Sequence, residues 1–213
     1  MAKVASITVN PFQENTYVIY DNSGECIVID PGVSNTAEQH MLEGIIHELA
    51  LRPVALINTH CHIDHILGNK FVADRYSISL GIHREDEKML IAATDRSMNF
   101  GIAYDPSPLP AYYLEHGQTL SFGESELEVR FVPGHAPGHI VLIDHSAQWV
   151  IAGDTLFKQS IGRTDLPFGD FGTLEQAIRT QLYTLPDAYV VWPGHGPHTT
   201  IGDEKRSNPF VRP

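Results

Sequence analysis

His60-Cys61-His62-Ile63-Asp64-His65 packs three imidazoles and a carboxylate into six residues, directly after Asn58-Thr59. In an extended segment alternate side chains share a side, so His60 and His62 can converge on one metal ion while Cys61 points away into packing. Where the chain then bends into a helix, Asp64 and His65 turn toward a second point close by. The spacing therefore offers imidazole and carboxylate donors to two neighbouring positions, a donor set that suits Zn, Fe and Mn alike. Histidine is abundant overall, 12 in 213 residues.

Several elements must position this string. Lys3 to Val9, Thr16 to Asp21 and Glu25 to Asp30 are short runs rich in Val, Ile, Thr and Tyr, broken by Asn10-Pro11 and Asn22-Ser23-Gly24, and read as a strand followed by a hairpin. Asp30-Pro31-Gly32 stops the third strand. Ser34 or Asn35 caps a helix from about Thr36 to Leu51, with Met41, Ile45, Ile46 and Leu49 on its apolar face. Val54 to Ile57 is the strand that delivers the histidine string. Ile66 to Tyr76 then reads as a helix, Ile78 to His83 as a strand and Arg84 to Ala92 as a helix. The stretch from Ala93 to Pro110, long and with three prolines, is a candidate active-site flap. Strands follow at Gln118–Phe122, Glu126–Val132, His139–Ile143 and Trp149–Ala152, then a helix from Thr173 to about Leu185 and a last strand at Tyr189–Trp192. Strands then helix in each half predict an α/β class, an αββα sandwich of two mixed sheets packed face to face with helices outside.

Composition narrows the function. With 14 Lys+Arg against 26 Asp+Glu the net charge is −12, and no basic run offers a face to a phosphate backbone, so no nucleic-acid partner is expected. Apolar runs such as Val54–Ile57 and Ile140–Ile143 fall far below the roughly 20 residues of a bilayer span. The N-terminus lacks a signal-peptide core, and two cysteines make no disulfide scaffold, which favours the cytoplasm. Cys26 lies in a strand and is read as core.

The string, together with Pro133-Gly134-His135, Gly153-Asp154-Thr155-Leu156-Phe157 and Pro193-Gly194-His195-Gly196, each closing a predicted strand, resembles the metallo-β-lactamase superfamily. The resemblance spans essentially the whole chain and implies one metallo-β-lactamase-like domain over residues 1–213. It implies that His60, His62 and His135 hold one divalent ion, that Asp64, His65 and His195 hold another, and that Asp154 bridges them. Zn is the first expectation, with Fe or Mn as alternatives. A metal-bound hydroxide would attack a polarised carbonyl, with Asp64 helping to orient it. Asp30 is read as a carboxylate that orients a ligand imidazole. His139 receives an ordinary core or surface role, and His40, His47, His83, His116, His145 and His198 receive no ligand role.

Within the superfamily, Asn10-Pro11-Phe12-Gln13-Glu14-Asn15-Thr16-Tyr17, Gly162-Arg163-Thr164-Asp165 and Asn208-Pro209-Phe210 resemble the glyoxalase II group. That implies hydrolysis of an acyl-glutathione or other small acyl thioester. The sequence stops at Pro213 without the C-terminal helical extension of the eukaryotic-type enzyme, which implies the compact bacterial type with Arg163 as the remaining anion clamp. The same motifs also resemble persulfide dioxygenase, which implies a single iron on His60, His135 and Asp154. A metal-binding protein without catalysis is the third expectation.

Overall fold

Strands β1 (Lys3–Val9), β2 (Glu14–Tyr20) and β3 (Glu25–Ile29) form an antiparallel meander, which β4 (Arg52–Ile57), β5 (Leu80–Ile82) and β6 (Tyr112–Tyr113) extend in parallel, in the order β1-β2-β3-β4-β5-β6. The computed structural model covers residues 1–213 and describes all of them except the side chains of Arg96, Met98, Asn99 and Phe100. A second sheet is built from β7 (Thr119–Phe122), β8 (Ser125–Phe131), β9 (Ile140–Asp144) and β10 (Trp149–Gly153). After a small hairpin of β11 (Leu156–Phe157) and β12 (Ser160–Ile161), β13 (Val190–Pro193) and β14 (Thr199–Thr200) complete that sheet, ordered β14-β13-β10-β9-β8-β7. Only the β10–β13 pair is parallel in this sheet, so both sheets are mixed.

Period-two alternation sorts the side chains into three apolar layers. Tyr17, Ile19, Ile27, Ile29 and Ile57 of the first sheet meet Leu127, Val129, Ile140, Leu142 and Ile151 of the second. Their neighbours Val18, Cys26, Val28 and Leu56 face outward onto Leu42 and Ile46 of α1 (Thr36–Glu48) and onto Ile66 and Val72. On the far side Val141, Ile143, Val150 and Val191 pack against Leu174, Ala177, Ile178 and Leu182. The central strands β2, β3, β9 and β10 are therefore buried on both faces, which is why β3, β9 and β10 read as nearly continuous apolar runs. This is the αββα sandwich. Truncating Ile29 or Leu142 to Ala would open the inter-sheet layer at a cost of about 2–5 kcal/mol.

Several boundaries differ from the sequence reading. α1 is capped by Asn35, whose side chain accepts the Glu38 N–H, but it ends at Glu48 because Ala50 turns left-handed at φ 50°. Its buried face is Leu42 and Ile46, whereas Met41 and Leu49 are 49% and 42% exposed. The single helix expected over Ile66–Tyr76 is two, α2 (Ile63–Ile66) and α3 (Asn69–Tyr76), because the Gly68 N–H is drawn to the Pro31 carbonyl at 2.7 Å. Arg84–Asp86 is a 3₁₀ turn leading into α4 (Glu87–Ile91). The stretch expected as a candidate active-site flap, in which no helix was read, opens with α5 (Ala93–Phe100), and in the following loop Tyr104 Oη donates to Ser107 Oγ, which accepts from Asn69 Nδ2. The last long helix, α6 (Phe171–Ala177), starts two residues earlier than expected because Asp170 caps it, its side chain accepting the Thr173 N–H, and it widens into a π turn over Ile178–Leu182. α7 (Ile201–Ser207) follows β14. Among the described residues, no helix is long and apolar enough to cross a membrane.

Candidate metal centre

β3, β4, β8, β10 and β13 all end at one edge of the sandwich, and the loops leaving them carry Asp30, His60–His65, His135, Asp154 and His195 respectively. Parallel alignment of β3 with β4 and of β10 with β13 puts these carboxyl ends on the same side, the usual location of sites in such folds.

The metal-binding atoms that His60, His62 and His135 can offer lie within 4.8 Å of one another, and so do those of Asp64, His65 and His195. Between the two groups stands Asp154, with one oxygen 3.5 Å from His65 Nε2 and the other 3.5 Å from both His135 Nε2 and His195 Nε2. Asp64 Oδ2 is 3.1 Å from His195 Nε2. All seven residues singled out in the sequence thus come together. Asp30 joins them, making a further close group with His60 and His65. Arg163 does not enter: its side chain is 61% exposed and forms a two-pronged pair with Asp165 at 2.7 Å.

Fixed acceptors set the tautomers. His65 Nδ1 donates to Asp30 Oδ2 at 3.2 Å, His135 Nδ1 to the Arg163 carbonyl at 2.7 Å and His195 Nδ1 to the Phe12 carbonyl at 3.1 Å. The Thr59 hydroxyl donates to Asp30, so its oxygen accepts from His60 Nδ1 at 3.1 Å. In these four rings Nε2 is therefore the nitrogen aimed inward. His62 differs, since its Nδ1 faces His135 Nε2 at 2.8 Å.

Electrostatics divides the site in two. Burial and the crowd of neighbouring imidazoles hold His60 well below its usual pKa, and burial with His135 pushes His62 down to about 3. That half is a nest of neutral imidazoles. In the other half burial opposes charge, but Asp154 and Asp64 outweigh it and raise His65, while Asp64 and Asp154 raise His195. Asp154 is correspondingly held far below the carboxylate range, its burial overcome by His65. A proton there balances the carboxylates as a cation would.

The residues fit metal ions on structural grounds. His60 Nε2, His65 Nε2 and Asp154 Oδ1 are buried without a hydrogen-bond partner. Natural interiors rarely leave such groups orphaned, and here the orphans converge. Gly194 shapes the same cradle: a Cβ there would lie 2.2 Å from Asp154 Oδ1 and 2.7 Å from the His65 ring.

Apart from Asp30, sequence reasoning missed the residues that hold this cluster in place. His139, given an ordinary role, stacks on His60 at 4.7 Å between centroids, and its Nε2 accepts the Asp154 N–H at 2.9 Å. Its spacing of four residues from His135 was the available signal. The Asn10–Tyr17 segment works as a strap: Asn10 Nδ2 donates to the Asp64 carbonyl, Asn15 Nδ2 to the carbonyls of Pro193 and Gly196, and Tyr17 Oη to that of Pro193.

The metallo-beta-lactamase superfamily model matches residues 9–195. The chain belongs to the metallo-β-lactamase superfamily. It is 36% identical over 207 residues to hydroxyacylglutathione hydrolase GloC of Haemophilus influenzae, covering 96% of each chain. Among solved structures, BLEG-1 B3 metallo-beta-lactamase aligns with TM-score 0.89 and 34% identity over 99% of both chains. TTHA1623, in a di-iron-bound form, aligns with TM-score 0.88 and 35% identity over 98% of this chain and 100% of that one. As a member of this superfamily the chain is a hydrolase-like enzyme of a fold that carries divalent metals, and the metallo-β-lactamase fold accounts for the clustering of strand ends described above.

Proposed function

We propose that the protein is a two-metal hydrolase of small acyl thioesters, with hydroxyacylglutathione the first substrate to test. The observation that carries this reading is the pair of ligand groups, His60, His62, His135 and Asp64, His65, His195, on either side of Asp154. A complete second group supports two ions over a single iron. The relative of matching length, a hydroxyacylglutathione hydrolase, supports a thioester over other carbonyl substrates.

Divalent ions held here, Zn first with Fe or Mn as alternatives, would polarise the substrate carbonyl and lower the pKa of water between them. The chain does the rest. Burial of His60, His65, His135 and Asp154 keeps bulk water from the ligand atoms. Asp64, held ionised because His65 outweighs the cost of its burial, can accept a hydrogen bond from the attacking water and fix its direction. The departing thiolate, of pKa about 8.5, needs no strong acid to protonate it. Arg163 is proposed to leave Asp165 and meet an anionic group of the substrate. Both cysteines are free, which fits a reducing cytoplasmic setting.

One metal-defined preparation tests the reading. Loss of thioester absorbance with hydroxyacylglutathione or a simpler acyl thioester supports it. Oxygen uptake on glutathione persulfide with iron, and no thioester loss, replaces it with a dioxygenase. Stoichiometric metal binding without turnover of either leaves a non-catalytic metal-binding protein.

A further inference from the structure

We propose that Asp86 is a positioning residue for the His60, His62 and His135 group, its carboxylate fastening together the two backbone segments that carry those three imidazoles. The proposal rests on the reading that this group holds a metal ion.

Asp86 closes the 3₁₀ turn behind β5 and is completely buried. Its Oδ2 accepts the Cys61 N–H at 2.6 Å, and its Oδ1 accepts the Gly138 N–H at 2.5 Å. Cys61 lies between His60 and His62. Gly138 lies in the turn that starts at His135 and adjoins His139, which stacks on His60 and receives the Asp154 N–H. One carboxylate thus crosslinks both segments, each by a different oxygen. The approach demands glycine at 138, where a Cβ would meet Asp86 N at 2.5 Å and Asp86 Oδ1 at 2.7 Å. The Asp64, His65 and His195 group is held by other means, the Asp30 carboxylate and the Asn10–Tyr17 strap.

The chemistry explains why a carboxylate stands here. Two convergent N–H donors need two acceptor oxygens with no hydrogen between, which an ionised carboxylate supplies and an amide does not. Burial pushes the Asp86 carboxyl up to about 6, against the pull of both N–H groups. A neutral side chain would avoid that cost, so the ionised form is retained for what it holds rather than for fold stability.

The test is a zinc titration of the full chain against a chromophoric chelator, resolving two binding steps. His135→Ala identifies the step belonging to the first group and His195→Ala the step belonging to the second. Asp86→Asn, nearly isosteric, should weaken the first step by about 10- to 100-fold, the range for residues that orient ligands, and leave the second within about twofold. Gly138→Ala, which presses on the same contact from the opposite side, should do likewise. Equal weakening of both steps, or a lower unfolding midpoint with both affinities intact, marks Asp86 as merely structural and overturns the proposal. A step that His135→Ala abolishes and Asp86→Asn leaves untouched overturns the proposal alone. A titration in which His135→Ala changes nothing overturns the metal reading beneath it.

Discussion

Replacing Asp30 by Asn removes one acceptor from the middle of the centre and leaves the backbone alone. Asp30 sits at φ 48°, a left-handed conformation that Asn tolerates as readily as Asp. Its Oδ1 accepts the Thr59 N–H at 2.7 Å, and its Oδ2 accepts both the Thr59 hydroxyl at 2.6 Å and His65 Nδ1 at 3.2 Å. The amide oxygen of Asn serves the Thr59 N–H. Its NH₂ then occupies the second position, where the Thr59 hydroxyl can turn to accept but His65 Nδ1–H cannot. In the metal-free protein the His65 ring, whose protonated Nε2 faces Asp154 Oδ1 at 3.5 Å, escapes by giving up its Nδ1 proton. Once Nε2 is a ligand that escape closes, and a buried N–H is left unsatisfied at about 1–3 kcal/mol. At about 1.4 kcal/mol per factor of ten, binding to the Asp64, His65 and His195 group should weaken by about 5- to 150-fold. The group of His60, His62 and His135, which Asp30 reaches through Thr59 rather than by a direct hydrogen bond to a ring, should change less. Chelator competition measures both. Unchanged affinity in the second group would refute the reasoning and reduce Asp30 to a turn former.

Three other outcomes are expected. His139→Phe keeps a ring against His60 but strips the Asp154 N–H of its acceptor, so urea unfolding should show a loss of about 1–3 kcal/mol; an unchanged midpoint would mean another acceptor takes over. Arg163→Ala should barely move the unfolding midpoint, because an exposed ion pair contributes about 0–1 kcal/mol and the carbonyl that holds His135 remains, while KM for an anionic thioester should rise several-fold; an unchanged KM removes Arg163 from the substrate site. For pH, burial raises the Asp86 carboxyl from 3.8 to about 6, so the folded protein holds this proton more tightly than the unfolded chain. Its contribution to stability is complete below pH 3.8 and is lost as pH rises through about 6. Wild type should therefore lose stability relative to Asp86→Asn across that window, and parallel curves would contradict the assignment.

The seven clustered residues were legible in the sequence partly from local geometry and partly from the family resemblance. Strand alternation pairs His60 with His62 and the bend into α2 turns Asp64 and His65, whereas His135, Asp154 and His195 were placed by the resemblance of their motifs, each just after a predicted strand. Apart from Asp30, the residues that brace this cluster were not legible, since nothing near them in sequence announces the contact: Asp86 reaches Cys61 and Gly138, and Asn15 reaches Gly196. Such pairs exist only once two sheets are stacked. The α1 face was misread at Met41 and Leu49 for a related reason. Periodicity marks apolar residues on one side of a helix, but it is Leu42 and Ile46 that α1 packs onto Val18, Cys26, Val28 and Leu56 of the first sheet. In the stretch after Ala92, three prolines and mixed polarity concealed the helix α5 that precedes them.

The central claim, two metal ions acting together on a thioester, is tested most directly by the initial rate of hydroxyacylglutathione hydrolysis as metal-free protein receives from zero to two equivalents of zinc. The account predicts a rate that stays low through the first equivalent and rises with the second. A rate that reaches its plateau at one equivalent, or no hydrolysis at two, would contradict it.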